Sequence, residues 1–320
     1  SETIHVYSRI AYLFNDDYNI EMKDNVRIES KSLLLTGPYL LLKEKNYLTG
    51  DREMDFRLNQ VTGKAGKGLN YNMLTEIIKL FEVAGVMDWE GEPHHFKCQE
   101  LTITRTSHRM HFKGDVVIEG AGRKLVCQRM AVDFDDQMKE TRAVLAVENV
   151  QLFSYPLPGD EDKNRYAYKA GRMSGTYENG ILRESELRQS VELKIFTPKG
   201  EVTGSSNVFF VRLDPAAGSI RQVEMPGKGD WSYRGKKRNF EVTGDRGRFD
   251  FDEHGELSRS ESNGLVSFKL DAYSGEGDKL VYSPGRNRAT VSGPGTWIRK
   301  KGQLFHGKSI EVNTARNALN

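Results

Sequence analysis

The sequence predicts an all-β protein of stacked hairpins in which each strand buries one face. Three observations carry this. Apolar residues recur with period two, the composition is poor in apolar residues and rich in glycine, and one short unit recurs along the chain. Of 320 residues, 37% are hydrophobic and 31 are Gly. That balance suits a thin β structure with many turns and fits a compact two-layer α/β enzyme less well.

Period two is read directly from the residues. Ile20 and Met22 alternate with polar neighbours, as do Met110 and Phe112, then Val116 and Ile118, then the apolar positions of 125–134, then Phe249 and Phe251. Strands with one buried face give this pattern. The best helical candidate, 72–81, dissolves into the alternation Ile77, Lys79, Phe81, Val83.

The recurring unit is an alternating strand, a small or polar residue followed by Gly or a polar residue, and a second alternating strand. Its pivots are Thr36-Gly37, Thr62-Gly63, Cys98-Gln99, Cys127-Gln128, Ser174-Gly175, Thr203-Gly204, Thr243-Gly244, Ser274-Gly275 and His306-Gly307. Alternation shifts parity across the pivot, as it does when a strand turns a corner and keeps its apolar face inward. A second motif interleaves with the first: apolar-x-apolar-x-Gly or Asp-x-apolar-x-apolar, at 20–28, 81–89, 110–118 and 289–297. Glu29, Glu90 and Glu119 follow three of its copies. Spacings of roughly 26 to 43 residues fall in the usual range for repeat units. Two prolines, a glycine and a charge cluster break the pattern over 155–169. The chain therefore divides into repeat blocks at 1–154 and 170–320. The segment between them is a linker or one long hairpin loop of a continuous array.

Three stretches resemble the LptA/LptC/OstA superfamily of lipopolysaccharide-transport proteins: VYSRIAYLFNDDYNIEMKDNVRI (6–28), MHFKGDVVIEGAGRKLVCQRMAVDF (110–134) and GDKLVYSPGRNRATVSGPGTWIRKKGQLFHGKSIEVNTARN (277–317). In that family a strand ending in a G-x-V step leads through a short turn into a small-Gly/Ala-x-x-apolar-x-apolar strand. The resemblance covers most of the chain and is weakest over 154–193. It implies an elongated antiparallel β-jellyroll, or β-taco, with a hydrophobic groove between two sheets. It also implies a periplasmic location, with membrane contact through partners or an anchor preceding Ser1, and a place in the bridge that carries lipopolysaccharide from inner to outer membrane. The chain is longer than a single periplasmic domain of that family needs. An extended member, a fusion of two, or a relative moving another lipid all fit.

A lipid crossing water must hide its acyl chains, at about 0.8 kcal/mol per CH₂. A stacked-strand trough does this continuously, because every strand contributes inward side chains at alternate positions. The expected lining is Ile20, Met22, Val26, Ile28, Phe81, Val83, Met87, Trp89, Met110, Phe112, Val116, Ile118, Val132 and Phe134; the bland alternative is that these residues fill a closed core. Open sheet edges at 4–14 and 304–312 suit end-to-end strand addition to other bridge proteins. Basic clusters at 234–238 and 299–301 suit lipid phosphates at a trough mouth, or an ordinary solvated face. Cys98 and Cys127 hold the same pivot in consecutive repeats. Neighbouring levels lie about 4.8 Å apart, which admits a disulfide; two small buried thiols are the alternative.

Charge and motifs narrow the other classes. With 47 basic and 45 acidic residues the net charge is +2, which argues against nucleic acid as partner. No run reaches the roughly 20 apolar residues of a membrane helix. A start at Ser1 without a signal peptide says nothing about compartment. His94 and His95, adjacent on a strand, point to opposite faces and make a poor metal clamp. His108 and His111 lack partners at ligand spacing. There is no Gly-x-Ser-x-Gly elbow and no P-loop. The expectation is a non-enzymatic lipid carrier without cofactor or metal. The alternatives are a glycan-binding β-jellyroll or solenoid, which needs exposed aromatic platforms, and a scaffold with a closed core. Trp89 and Trp297 fall inside alternating motifs, whereas Trp231 is read as free.

Overall fold

The computed structural model describes residues 4–14, 18–89, 91–155, 165–214, 219–235, 238–315 and 318–319. Glu90, Lys236, Lys237 and most of the expected linker, 156–164, lie outside them. The described residues form antiparallel strands and two short 3-10 turns, Arg105–Ser107 and Pro284–Arg286. The protein is all-β, as expected. Two compact units divide it, one of 1–150 with 176–181 and one of 151–175 with 182–320.

In the first unit β1 (His5–Tyr7) and β2 (Ile10–Phe14) run along the two halves of β3 (Asn19–Glu29), which pairs with β4 (Leu33–Lys43). The next crossing is split into β5 (Tyr47–Gly50) and β6 (Met54–Leu58), the one after into β7 (Val61–Ala65) and β8 (Leu69–Asn72). Long strands follow: β9 (Ile77–Trp89), β10 (Glu92–Thr104), β11 (Arg109–Gly120) and β12 (Arg123–Phe134), each antiparallel to its neighbour, and then β13 (Thr141–Ser154).

The second unit repeats the scheme with β14 (Arg165–Glu178), whose last three residues belong to the first unit, β15 (Ile181–Thr197) and β16 (Gly200–Leu213). Split crossings follow as β17 (Ile220–Met225) with β18 (Gly229–Gly235) and β19 (Asn239–Gly244) with β20 (Arg246–Phe251). Then come β21 (Leu257–Leu270) and β22 (Tyr273–Ser283), β23 (Arg288–Ser292) with β24 (Trp297–Lys300), β25 (Gln303–His306) with β26 (Ser309–Asn313), and β27 (Ala318–Leu319).

Each crossing thus has two halves joined at a corner, and the corners are of two kinds. In the first, two consecutive residues take left-handed backbone: Asp24 and Asn25, Gly114 and Asp115, Glu148 and Asn149, Gln189 and Ser190. The pair bulges out of the ladder and parity is kept, so Met22 and Val26, Phe112 and Val116, and Leu187 and Val191 all point inward. In the second kind one extra residue is absorbed and parity flips, as between Cys98 and Leu101 or between Cys127 and Met130. Corners of both kinds keep apolar side chains on the inner face of both halves.

The expected pivots sort accordingly. Gly37, Cys98-Gln99 and Cys127-Gln128 are corners, facing left-handed pairs on the adjoining strand. Gly244 ends β19 and Gly307 follows β25, at the breaks of split crossings. Gly63, Gly175, Gly204 and Gly275 instead lie inside strands. At Gly63 and Gly275 two neighbours crowd the Cβ position: a backbone carbonyl of the next strand, Ala84 O at 2.5 Å and Trp297 O at 2.4 Å, and an aromatic cross-strand partner, Phe56 for Gly63 and Phe268 for Gly275. A Cβ at Gly63 would sit 2.9 Å from the Phe56 ring, and one at Gly275 would sit 2.8 Å from that of Phe268. These glycines let a ring lie flat over the backbone.

The cysteine expectation is corrected. Cys98 and Cys127 are both free and buried. β11 runs between β10 and β12, so the two thiols lie two strand spacings apart, roughly 9.6 Å, beyond disulfide reach. Burial pushes each thiol up to about 12.

Candidate functional site

Of the expected lining, Met22, Val26, Ile28, Val83, Met87, Met110, Phe112, Val116, Ile118, Val132 and Phe134 are buried in the first unit. Phe112 meets Phe96 edge-on, with centroids 5.4 Å apart. Ile20 and Trp89 keep the inward parity but are half-buried. Phe81 lies on the outer face, because Glu82 alone is left-handed there and shifts the alternation by one between Leu80 and Val83.

Hairpin turns fall at the two outer margins of the corner-folded strands. One row holds the turns at 30–32, 59–60 and 121–122, and the other holds those at 44–46, 73–76, 105–108 and 135–140. In the first unit the rows meet. Arg105 donates to Ser32 Oγ at 2.7 Å, Asn59 Nδ2 to the Gln137 carbonyl at 3.1 Å, and Gln60 to the Lys139 carbonyl. The partners are 73, 78 and 79 residues apart in sequence, a nearly constant step. Trp89 and Tyr177, at the next turns of the two rows, bring their rings to 6.2 Å. The first unit is therefore latched along its margin.

Five crossings separate Ser32 from Arg105, and five crossings, here 85 to 88 residues, separate the β15/β16 turn at Lys199 from the β22/β23 turn at 284–287. These turns also face one another, but across a cavity of about 700 Å³. Tyr233, Leu257 and Tyr282, three buried inward-facing residues, form its throat. Lys199, Arg238, Arg259 and Arg286 stand around it with Asp252 and Glu256. Asp252 shapes its own turn by accepting from the backbone N–H of His254 at 3.0 Å and of Glu256 at 2.9 Å. Arg238 is paired with Asp271 at 3.0 Å and Arg259 with Glu261 at 2.9 Å. Lys199 and Arg286 have no ion pair among the described residues. Glu256 is 6% exposed, and its Oε1 has no hydrogen-bond partner there. Ser260, opposite Tyr282 in the ladder, also has an unpartnered hydroxyl. Burial pushes the Tyr282 phenol up to about 12, and burial with the Glu256 charge raises Tyr233. Both phenols stay neutral, giving the throat apolar ring surface with hydroxyl tips.

Sequence reading missed this cavity. Its residues come from turns distant in the chain, and Lys199 and Arg286 are brought to one cavity only by the folding of the five crossings between them. The one forewarning was the basic run 234–238, whose Arg238 stands at the cavity. Trp231 needs a second correction. It is 2% exposed, stacked edge-on with Phe240 and Phe249, and donates to Ser262 Oγ at 3.0 Å. Trp297 is the more open of the two, under Arg299 and donating to Glu276. His94 is buried with Nδ1 3.0 Å from the Glu92 carbonyl, while His95 is exposed on the other face.

Among the described residues no group of His, Cys, Asp and Glu is arranged to hold a metal ion, and no helix is long and apolar enough to cross a membrane. No family model matches the chain, and no curated protein matches it. Among solved structures the chain is similar to LptH of Pseudomonas aeruginosa, described as the LptA homologous periplasmic component of the conserved lipopolysaccharide transport device. Identity is 11% over 48% of this chain and 96% of that one, with a TM-score of 0.24. A superposition that loose places no residue of this chain on a counterpart in LptH.

Proposed function

We propose that the protein is a non-enzymatic lipid carrier whose second unit admits acyl chains between its sheet halves through the cavity at Tyr233, Leu257 and Tyr282. The cavity carries the reading. Its volume suits a ligand, Leu257 and the rings of Tyr233 and Tyr282 give it apolar surface, and among the described residues four cations stand where a lipid's phosphates would emerge. The sequence resemblance to the LptA/LptC/OstA superfamily makes lipopolysaccharide, or another multi-acyl lipid, the expected cargo and the periplasm the expected compartment. Strand addition to other bridge proteins has its best surface at β1 and β2. There Val6, Tyr7, Ile10, Tyr12, Leu13 and Phe14 are exposed, and the pair has only β3 beside it among the described residues. At the other end β25 is likewise exposed, with Leu304 and Phe305. Trp231, being buried, supplies no open aromatic platform of the kind the glycan-binding reading needs.

Native mass spectrometry with lipid extraction, on protein purified from the periplasm of a lipopolysaccharide-producing host, tests the proposal. A bound multi-acyl lipid is expected, and it should be lost in Leu257→Asp, because a second buried carboxylate beside Glu256 removes apolar surface and costs several kcal/mol. A clean apo mass with no uptake of added lipid would leave the fold intact and the carrier reading without support.

A further inference from the structure

Glu256 is the least explained side chain of the second unit. A carboxylate buried to this degree needs donors for its oxygens, and an orphaned one is costly. Oε1 of Glu256 has none among the described residues, although the side chain lines the cavity. Among the described residues four cations line the same cavity, and two of these, Arg238 and Arg259, are held by Asp271 and Glu261. Lys199 and Arg286 remain, one from each row of turns, on opposite margins of the opening. The opening therefore offers two separate recognition elements, an unsatisfied buried acceptor carrying negative charge and a pair of uncommitted cations.

We infer that this cavity selects a lipid whose headgroup carries both a phosphate and a primary ammonium, with the ammonium donating to Glu256 and the phosphate set between Lys199 and Arg286. The inference rests on the lipid-carriage reading and adds headgroup chemistry to it. A purely anionic headgroup would satisfy the two cations and leave Glu256 both unpaired and repelled. A quaternary ammonium would supply charge but no N–H donor, so it too would leave Oε1 unsatisfied. A primary ammonium supplies charge and donors together, and charge-assisted hydrogen bonds are the strong ones.

The test is calorimetric titration of the full chain with water-soluble dihexanoyl lipids: phosphatidylethanolamine, phosphatidylcholine and phosphatidylglycerol, with free O-phosphoethanolamine as a fourth probe. The wild type is expected to bind phosphatidylethanolamine about tenfold more tightly than the other two lipids. Glu256→Gln, nearly isosteric, is expected to erase that preference while retaining affinity for phosphatidylglycerol. Arg286→Ala is expected to weaken all three lipids together. Equal binding of the three lipids by the wild type, or a preference that survives in Glu256→Gln, overturns the inference and leaves lipid carriage standing. Free O-phosphoethanolamine binding as tightly as the lipid overturns it also, by showing a small-molecule site. Failure of every lipid to bind overturns the carrier reading itself.

Discussion

Glu261 shows how a single residue supports the cavity from behind. Lys279 donates to it at 2.6 Å, Arg259 at 2.9 Å and Asn263 at 3.4 Å. These contacts, that from Lys279 foremost, hold its carboxyl at about 2, well below the ordinary 4.5. Because the folded value is depressed, the stabilisation is present above the ordinary range and is lost as pH falls from about 4.5 to about 2. Glu261→Gln is expected to cost about 1 kcal/mol at neutral pH, the scale of a partly exposed charge network. Parallel urea melts should show the difference shrinking toward zero at the acid end of that window. A gap that persists at pH 2 would mean that Glu261 acts through packing and not through its charge. Cys98 and Cys127 make a contrasting case. Their shared pivot in the sequence is real, but repeats consecutive in sequence are not nearest neighbours in space when the chain doubles back between them.

At the scale of the element, strand alternation was legible because burial of one face imposes period two, and β3, β10, β11 and β12 all show it. Corners were legible only in part. Asp24-Asn25 and Gly114-Asp115 carry residue types that tolerate left-handed backbone, and the second motif centres on them. Glu148-Asn149 and Gln189-Ser190 are less distinctive and give little warning. Thr-Gly served two purposes that one sequence cannot separate, a corner at Gly37 and a seat for an aromatic ring at Gly63. Phe81 was misplaced for a related reason, since a single left-handed residue reverses the face of everything before it. The corner at Gly114 gives a direct check. Its φ is +75° and a Cβ there would meet Gln99 Oε1 at 2.3 Å. Gly114→Val should therefore lower stability by roughly 2 kcal/mol in thermal or denaturant melts, whereas Lys113→Val, on the exposed face, should be close to neutral. Equal effects of the two would show that left-handed geometry at the corner is not required.

At the scale of the whole molecule, the all-β class and the repeat were open to sequence reasoning, and the difference between the two units was not. It depends on which turns face each other. In the first unit those turns close on one another through Ser32 with Arg105, Asn59 with Gln137 and Gln60 with Lys139. In the second they stand apart around Tyr233, Leu257 and Tyr282. In the proposed carrier, lipid enters at the second unit's margin and not at the first's. Site-specific photo-crosslinking distinguishes the two margins, with benzoylphenylalanine placed at Leu257 in one variant and at Gln60 in another, irradiated in cells that make lipopolysaccharide. A lipid adduct is expected at position 257 and none at position 60. An adduct at 60 with none at 257 would contradict this, and would mean that the latched margin, not the cavity, is the entrance.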